Sequence, residues 1–324
     1  MPKLISFVIP VFNEEESLLP FVDGLRATLT KIPHDYELIF VDDGSRDSSW
    51  EKLGELVKSD SRIRALSLSR NFGSHSAITA GLFHARGDAT IILAADLQDP
   101  PDVVLQFIEK WEKGFEVVWG VRKRRKDSGI KKFLSALFYR LLRALALPEY
   151  PAEGTGSFCL IDKKVRESLR EFGEKNRVVF GLISWAGFKQ DRVFYDREGR
   201  SHGKSKWSLG KMFKTGIDAF TAYSYIPLRL STYAGVFFLF ISLSVILFVT
   251  VDWFVRRNVL KGWTTLMISI YFLGGTQLLF LGIIGEYLWR ISQDVKGRPL
   301  FIVREQIGFP SNSWNETLLP NQRP

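Results

Sequence analysis

Residues 91–101 read Ile91-Ile92-Leu93-Ala94-Ala95-Asp96-Leu97-Gln98-Asp99-Pro100-Pro101. A short apolar run ends on an acid and an amide, and two prolines then open the next segment. Continuous apolar runs of this length suit strands covered on both faces, the kind found in parallel sheets. With Ala89–Ala94, the stretches Leu4–Val11, Tyr36–Val41, Ile63–Leu68 and Glu116–Trp119 form a set of five expected strands. Amphipathic stretches separate them. Strand and helix alternating over the first 120 residues predict an α/β domain with a mostly parallel sheet and right-handed crossovers. Ligands of such sheets bind beyond the carboxyl ends of the strands, and Asp42, Asp43 and Asp96 all fall there.

Helix starts are marked chemically. Asn13-x-x-Glu16 and Ser48-x-x-Glu51 read as capping boxes. Asp99 reads as an N-cap with Pro100 at the first helical position, which leaves Asp99 out of any ligand set. The first apolar run, Leu4–Phe12, contains Pro10 and ends in Asn13-Glu14-Glu15-Glu16, so it reads as a buried strand and not a targeting segment.

The chain has 324 residues and a net charge of +9, with its basic residues bunched. Arg122, Lys123, Arg124, Arg125, Lys126, Lys131 and Lys132 form one run; Arg197, Arg200, Lys204, Lys206, Lys211 and Lys214 form another. Two long apolar segments, 231–254 and 264–288, turn the reading from nucleic acid towards membrane lipids and phosphorylated ligands. Each is long enough to span about 30 Å of hydrocarbon. Basic residues around them favour cytoplasmic termini. Residues 130–147 and 207–224 read as amphipathic helices, the second as a juxtamembrane element, and 311–324 as a polar tail. The expected division is an α/β domain over 1–206, a juxtamembrane helix over 207–226, a two-helix membrane region over 227–289 and a C-terminal cytoplasmic segment over 290–324. Cys159 is the only cysteine, so no intramolecular disulfide forms, and one Cys with four scattered His argues against zinc.

Asp96 and Gln98 are two apart on an extended segment and share a side. Oxygen donors suit Mg²⁺ or Mn²⁺, whose shells are usually completed by substrate phosphates and water. Asp42, before the turn-forming Gly44, can accept hydrogen bonds from a nucleobase or ribose. Arg122, at the end of a strand, can reach a diphosphate. Lys131 and Ser135, one helical turn apart, can bind a lipid phosphate. Arg200 and Lys206 sit in a Gly/Ser/His-rich loop able to close over a ligand. His75 reads as a local hydrogen-bonding residue near a helix start, and Glu153 as a weak candidate base.

Taken together, Val8-Ile9-Pro10-Val11-Phe12-Asn13-Glu14-Glu15, Val41-Asp42-Asp43-Gly44-Ser45, Ser69-Arg70-Asn71-Phe72-Gly73 and Asp96-Leu97-Gln98-Asp99-Pro100-Pro101 resemble family 2 glycosyltransferases. The likeness is to bacterial polyprenyl-phosphate glycosyltransferases and dolichyl-phosphate mannose synthases. Gly203-Lys204-Ser205-Lys206-Trp207, Gly285-Glu286-Tyr287-Leu288 and Lys296-Gly297-Arg298-Pro299-Leu300 extend it to about residue 308. The resemblance implies a GT-A, Rossmann-like catalytic domain on the cytoplasmic face of a bacterial plasma membrane. It implies a nucleotide-sugar donor, often UDP-linked, an undecaprenyl-phosphate acceptor, Mg²⁺ or Mn²⁺, and possible homo-oligomers. By the same likeness Pro10, Glu14, Asp42 and Asp96 serve the nucleotide, and Asp96 and Gln98 the metal. Arg122, Arg200 and Lys206 hold donor phosphates, Lys131 and Ser135 the acceptor phosphate, and Asp96 and Ser157 stand at catalytic positions. The family usually has Asp where this chain has Ala94 and Ser157, and Arg where it has Cys159. Those departures keep a second expectation open, a paralogue that binds lipid phosphate or a partner enzyme without turnover.

Overall fold

The computed structural model describes residues 2–96, 98–123, 155–175, 177–196 and 262–310, with residue 140 and scattered positions between 228 and 255. In chain order the elements are β1 (Leu4–Val11), α1 (Leu18–Leu29), β2 (Asp35–Asp42), α2 (Ser49–Ser59), β3 (Ile63–Leu68), α3 (Ser74–His84), β4 (Ala89–Ile92) and α4 (Val103–Glu112). They continue with β5 (Val117–Arg122), β6 (Thr155–Asp162), α5 (Lys163–Glu171), α6 (Val179–Trp185), β7 (Gln190–Tyr195), α7 (Trp263–Val295) and β8 (Val303–Ile307). The chain divides into two compact units, Met1–Gly216 with Arg298–Pro324, and Ile217–Gly297.

In the first unit eight strands form one sheet in the order β7-β5-β6-β4-β1-β2-β3-β8. β1 pairs in parallel with both β2 and β4, β2 with β3, and β5 with β7. Only β6 and β8 run against the rest. The expected α/β class and mostly parallel sheet are therefore present. β1 and β3 have the expected bounds, whereas β4 stops at Ile92 and β5 runs on to Arg122.

Side chains alternate across the strands, so each face carries its own core. Phe7, Phe21, Phe40, Phe107 and Phe158 pack on one face with α1 and α4 behind them. Phe21 meets Phe40 edge-on at 6.4 Å, and Phe107 lies against Phe158 at 4.6 Å. On the other face α3 approaches β1 so closely that a Cβ at Gly81 would overlap Val8 Cγ1. α2 begins after Ser48, where the sequence placed its N-cap, though no side-chain cap bond forms there. The other two starts differ: α1 begins after Ser17, without a side-chain cap, and α4 after Asp102, three residues beyond Asp99.

In the second unit α7 runs from Trp263 to Val295, past the expected end at residue 288. Among the described residues its Phe272–Val295 stretch, with mean hydropathy 1.2, is the one helical segment long and apolar enough to cross a membrane. Leu278, Leu281 and Leu288 are exposed along it. The other expected span, 231–254, is described only in part. Residues 235–238 are helical, and Phe238 packs edge-on against Phe272 at 5.1 Å. The expected amphipathic helices over 130–147 and 207–224 and the tail lie outside the described residues, residue 140 excepted.

Phe107 is fully buried beside Phe158. Phe107→Ala should lower the stability of the sheet-bearing unit by about 3–5 kcal/mol. Chemical denaturation of the detergent-solubilised chain, followed by tryptophan fluorescence, would measure it; a change below about 1 kcal/mol would contradict this packing.

Candidate active site

The sheet opens at one place. β1 stays paired with β2 to its last residue, Val11↔Asp42, but its pairing with β4 stops at Val8↔Ile92. Pro10, which has no N–H to give, lies beyond the last β4 pair. The half-buried Pro10 and residues 93–96, which follow β4, therefore lie at the carboxyl ends of the parallel strands, where open sheets of this kind have their ligand crevice.

Two loops close over one end of this crevice and hold each other. Asn13 takes a left-handed backbone, φ 52°. Its N–H donates to Ser45 Oγ at 2.9 Å, and its side-chain oxygen accepts from the Arg46 N–H at 2.9 Å. Glu14 N–H donates to Ser49 Oγ, Glu15 N–H to Asp47, and the Ser48 N–H to the Glu15 carboxylate. Asn13, read as a helix cap, is thus spent on joining the loops. The half-buried Glu14 carboxylate accepts from Ser17 Oγ at 2.8 Å.

The two adjacent acids at the end of β2 are both buried and do different work. Asp42 accepts from the Ser45 N–H at 3.1 Å and from Ser67 Oγ at 3.2 Å. Asp43 reaches the other way and accepts the N–H groups of Phe72 and Gly73 at 2.7 and 2.9 Å, which ties down the turn into α3. Gly44 follows at φ +70°, and a Cβ there would stand 2.6 Å from the Arg70 carbonyl carbon. Burial pushes the Asp43 carboxyl up to about 6, against the pull of its two backbone donors.

Asp96 is half-buried at the open end of β4, and its Oδ1 accepts the Gln98 N–H at 3.3 Å. Gln98 itself is buried. Among the described residues no group of three His, Cys, Asp or Glu side chains could hold a metal. A carboxylate and an amide oxygen are donor types that suit a hard divalent ion, which takes the rest of its shell from phosphate and water.

Asp99 is not the helix cap the sequence suggested. The two prolines after it stand outside the helix, and its fully buried side chain turns towards β5 and β7. Tyr195 Oη donates to Asp99 Oδ1 at 2.5 Å, while Arg122 Nε donates to the same phenol oxygen at 3.4 Å. Arg122 Nη2 lies 3.9 Å from Asp99. Burial, with the Asp99 charge beside it, holds the Tyr195 phenol above its ordinary range. Arg122, at the carboxyl end of β5, is therefore braced by Tyr195 and Asp99. Tyr195 carried no motif, and its alternating edge strand was not among the expected elements.

Of the other expected residues, Ser157 lies on β6 and its side chain is not among those described. Lys131, Ser135, Glu153, Arg200 and Lys206 lie outside the described residues. Cys159 is fully buried in the sheet, and burial pushes its thiol up, so it is inert. His75 does not make the local hydrogen bond its position suggested. It packs against Phe180 at 5.7 Å, and burial lowers its pKa to about 4, so it is neutral near pH 7.

The Asp43 carboxyl gives a pH signature. Its folded pKa, about 6, lies above the ordinary 3.8. Between those values the folded protein keeps a proton that the unfolded chain has released. Its contribution to stability is therefore complete at low pH and is lost as the pH rises through 6. Relative to Asp43→Asn, the wild type should lose on the order of 2–3 kcal/mol between pH 4 and 7. Melting curves of both proteins across that range would show it, and parallel pH profiles would refute it.

Comparison with known proteins gives these features a family. The model for glycosyl transferase family 2 matches residues 6–170. The chain is 41% identical over 312 residues to YkcC of Bacillus subtilis (strain 168), named an uncharacterized glycosyltransferase, with 94% of each chain covered. It is 38% identical over 302 residues to the SfII prophage-derived bactoprenol glucosyl transferase of Shigella flexneri, covering 93% of this chain and 97% of that one. Among solved structures, mannosyl-3-phosphoglycerate synthase from Rubrobacter xylanophilus superposes with a TM-score of 0.50 at 17% identity, over 72% of this chain and 75% of that one, a likeness of fold. A Rossmann-like sheet of GT-A type, an acidic crevice at its switch point and relatives matched along nearly the whole chain place this protein in glycosyl transferase family 2 as a glycosyltransferase.

Proposed function

We propose that this enzyme transfers a hexosyl unit from a nucleotide-sugar, a UDP-sugar, to polyprenyl (undecaprenyl) phosphate on the cytoplasmic leaflet of a bacterial plasma membrane. The observation that carries the reading is the match over 93% of this chain to a bactoprenol glucosyl transferase. That extent takes in the sheet and the apolar helix alike. The exposed apolar surface of α7 suits an anchor that brings the crevice to a lipid acceptor.

In this reading the nucleoside lies along Pro10 and Glu14, above the floor made by Asp42. Asp96 and Gln98 would hold Mg²⁺ or Mn²⁺ together with the donor diphosphate. When bound, the ion neutralises charge on the departing nucleoside diphosphate. Arg122, braced by Tyr195 and Asp99, contributes positive charge at the same end, as Arg200 and Lys206 would from their loop. Lys131 and Ser135 would hold the acceptor phosphate, and Ser157 would sit beside the sugar.

An oxygen of the lipid phosphate attacks the anomeric carbon. A new carbon–oxygen bond forms as the bond to the donor diphosphate breaks, and the electron pair leaves with the nucleoside diphosphate. The acceptor is already anionic, so no strong base is needed, and positioning with charge neutralisation supplies most of the rate. One displacement inverts the anomeric carbon.

The test is turnover by the purified chain in detergent, given undecaprenyl phosphate, Mn²⁺ or Mg²⁺ and radiolabelled UDP- and GDP-sugars. Label should enter the organic phase with a UDP-sugar, cease with EDTA, and fall at least about 10²-fold in Asp96→Ala. A retained anomer, or no transfer from any donor by folded protein beside an active relative, would overturn the reading, the second outcome in favour of binding without turnover.

Tyr195→Phe removes the hydroxyl shared by Asp99 and Arg122. The donor KM should rise several-fold, up to about tenfold, while kcat stays near that of the wild type. An unchanged KM in steady-state kinetics would show that this brace does not matter to the donor.

A further inference from the structure

The strand that ends the sheet comes from the far side of the apolar helix in the chain. α7 ends at Val295, and β8, residues Val303–Ile307, then pairs antiparallel with β3. Their register runs Ala65↔Ile307, Leu66↔Gln306, Ser67↔Glu305 and then jumps to Leu68↔Val303. Arg304 is the extra residue of this bulge. Bulges re-aim side chains, and this one sends the guanidinium over the edge of β3. Arg304 Nη2 donates to Ser67 Oγ at 3.0 Å. The same hydroxyl donates its proton to Asp42 Oδ2 at 3.2 Å. Ser67 and Asp42 are both fully buried.

The path continues into the crevice. Asp42 Oδ1 holds the Ser45 N–H, Ser45 Oγ holds the Asn13 N–H, and Asn13 precedes Glu14. We infer that Arg304 is a positioning residue for the nucleotide end of the site, acting through Ser67 on Asp42 and on the two loops that Asp42 and Ser45 hold. The inference rests on the reading of that end as the nucleoside's place. An arginine donating to the serine fixes which way the hydroxyl proton points and so keeps Asp42 hydrogen-bonded in one orientation. Loss of the guanidinium frees the hydroxyl to turn away and the loops to relax.

The strand does not depend on Arg304 for its attachment. Trp50 Nε1 donates to the Glu305 carboxylate at 3.0 Å, and the Ser69 N–H donates to the Ile302 carbonyl at 2.8 Å. Phe301 packs on Phe83 at 6.1 Å and Phe309 on His84 at 5.3 Å. The positioning role can therefore be separated from the structural one.

The experiment titrates the full-length protein in detergent with UDP and GDP, each with Mn²⁺, by calorimetry, and records the melting temperature of each variant. Arg304→Gln should weaken binding of the nucleotide that the wild type takes by about tenfold. Arg304→Lys, which keeps a donor, should recover most of the loss. In turnover the loss should fall on the donor KM and spare kcat. The double variant Ser67→Ala with Arg304→Gln should bind no more weakly than Ser67→Ala alone. Phe301→Leu, which loosens the same strand at its packing on Phe83 without removing a partner of Arg304 or Ser67, should bind as the wild type does. Wild-type affinity in Arg304→Gln, additive losses in the double variant, or affinity that merely follows melting temperature across all variants including Phe301→Leu would overturn the proposal. A wild type that binds neither nucleotide would overturn it together with the nucleotide reading of the site. A wild type that binds but transfers nothing to lipid would refute the acceptor assignment alone and leave the role of Arg304 to be decided by the affinities.

Discussion

The site exists because β1 loses one partner before the other. Its ladder with β2 continues to Val11↔Asp42, while its ladder with β4 ends at Val8↔Ile92. In an open parallel sheet the ligand crevice lies where the strand order reverses, and β1 and β4 are the strands on either side of that reversal. The four-residue length of β4 is thus a functional dimension. It releases the chain early enough for Asp96 and Gln98 to leave the sheet at the crevice mouth. Pro10 is tolerated in a central strand for the same reason, since no β4 residue needs its missing N–H.

Acids at the ends of buried strands are costly unless their oxygens are satisfied. This protein uses that cost to build a rigid floor. Asp42 and Asp43 leave the strand in opposite directions, one towards the Ser45 loop and one towards the turn before α3. Asn13, Glu15, Asp47 and Ser49 then join the β1–α1 and β2–α2 loops to each other. At the other end Asp99 plays the same part for Tyr195 and Arg122. In each case a buried carboxylate orders a neighbouring loop or side chain; in the proposed reading a ligand would meet donors and acceptors already in place, which lowers the ordering cost of binding.

Much of the sheet was legible because β1 to β5 are apolar runs between turn residues, the pattern that burial on both faces imposes. The other three strands do not carry it. β6 begins Thr155-Gly156-Ser157, too small and polar to signal a strand. β7 lies at an edge and buries only Val193 and Tyr195, so its other four residues are free to be polar. β8, Val-Arg-Glu-Gln-Ile, is the opposite edge and follows a long apolar helix that draws attention away from it. The strand-end positions of Asp96, Gln98 and Arg122 were readable because the apolar runs before them end there. Asp99 was misread because Asp-Pro-Pro satisfies a helix-cap pattern locally, whereas its partners, Tyr195 and Arg122, are brought to it only by the β5–β7 pairing. Ser67 and Arg304 have no local signal, since their contact depends on a bulge between strands at opposite ends of the chain.

The most direct measurement is a cryo-electron microscopy map of the full-length enzyme with a non-hydrolysable UDP-sugar and Mn²⁺. The account predicts nucleoside density along Pro10 and Glu14, and diphosphate with the ion between Asp96 and Arg122. Nucleotide density at the amino-terminal edge of the sheet, or an ion held away from Asp96, would contradict it.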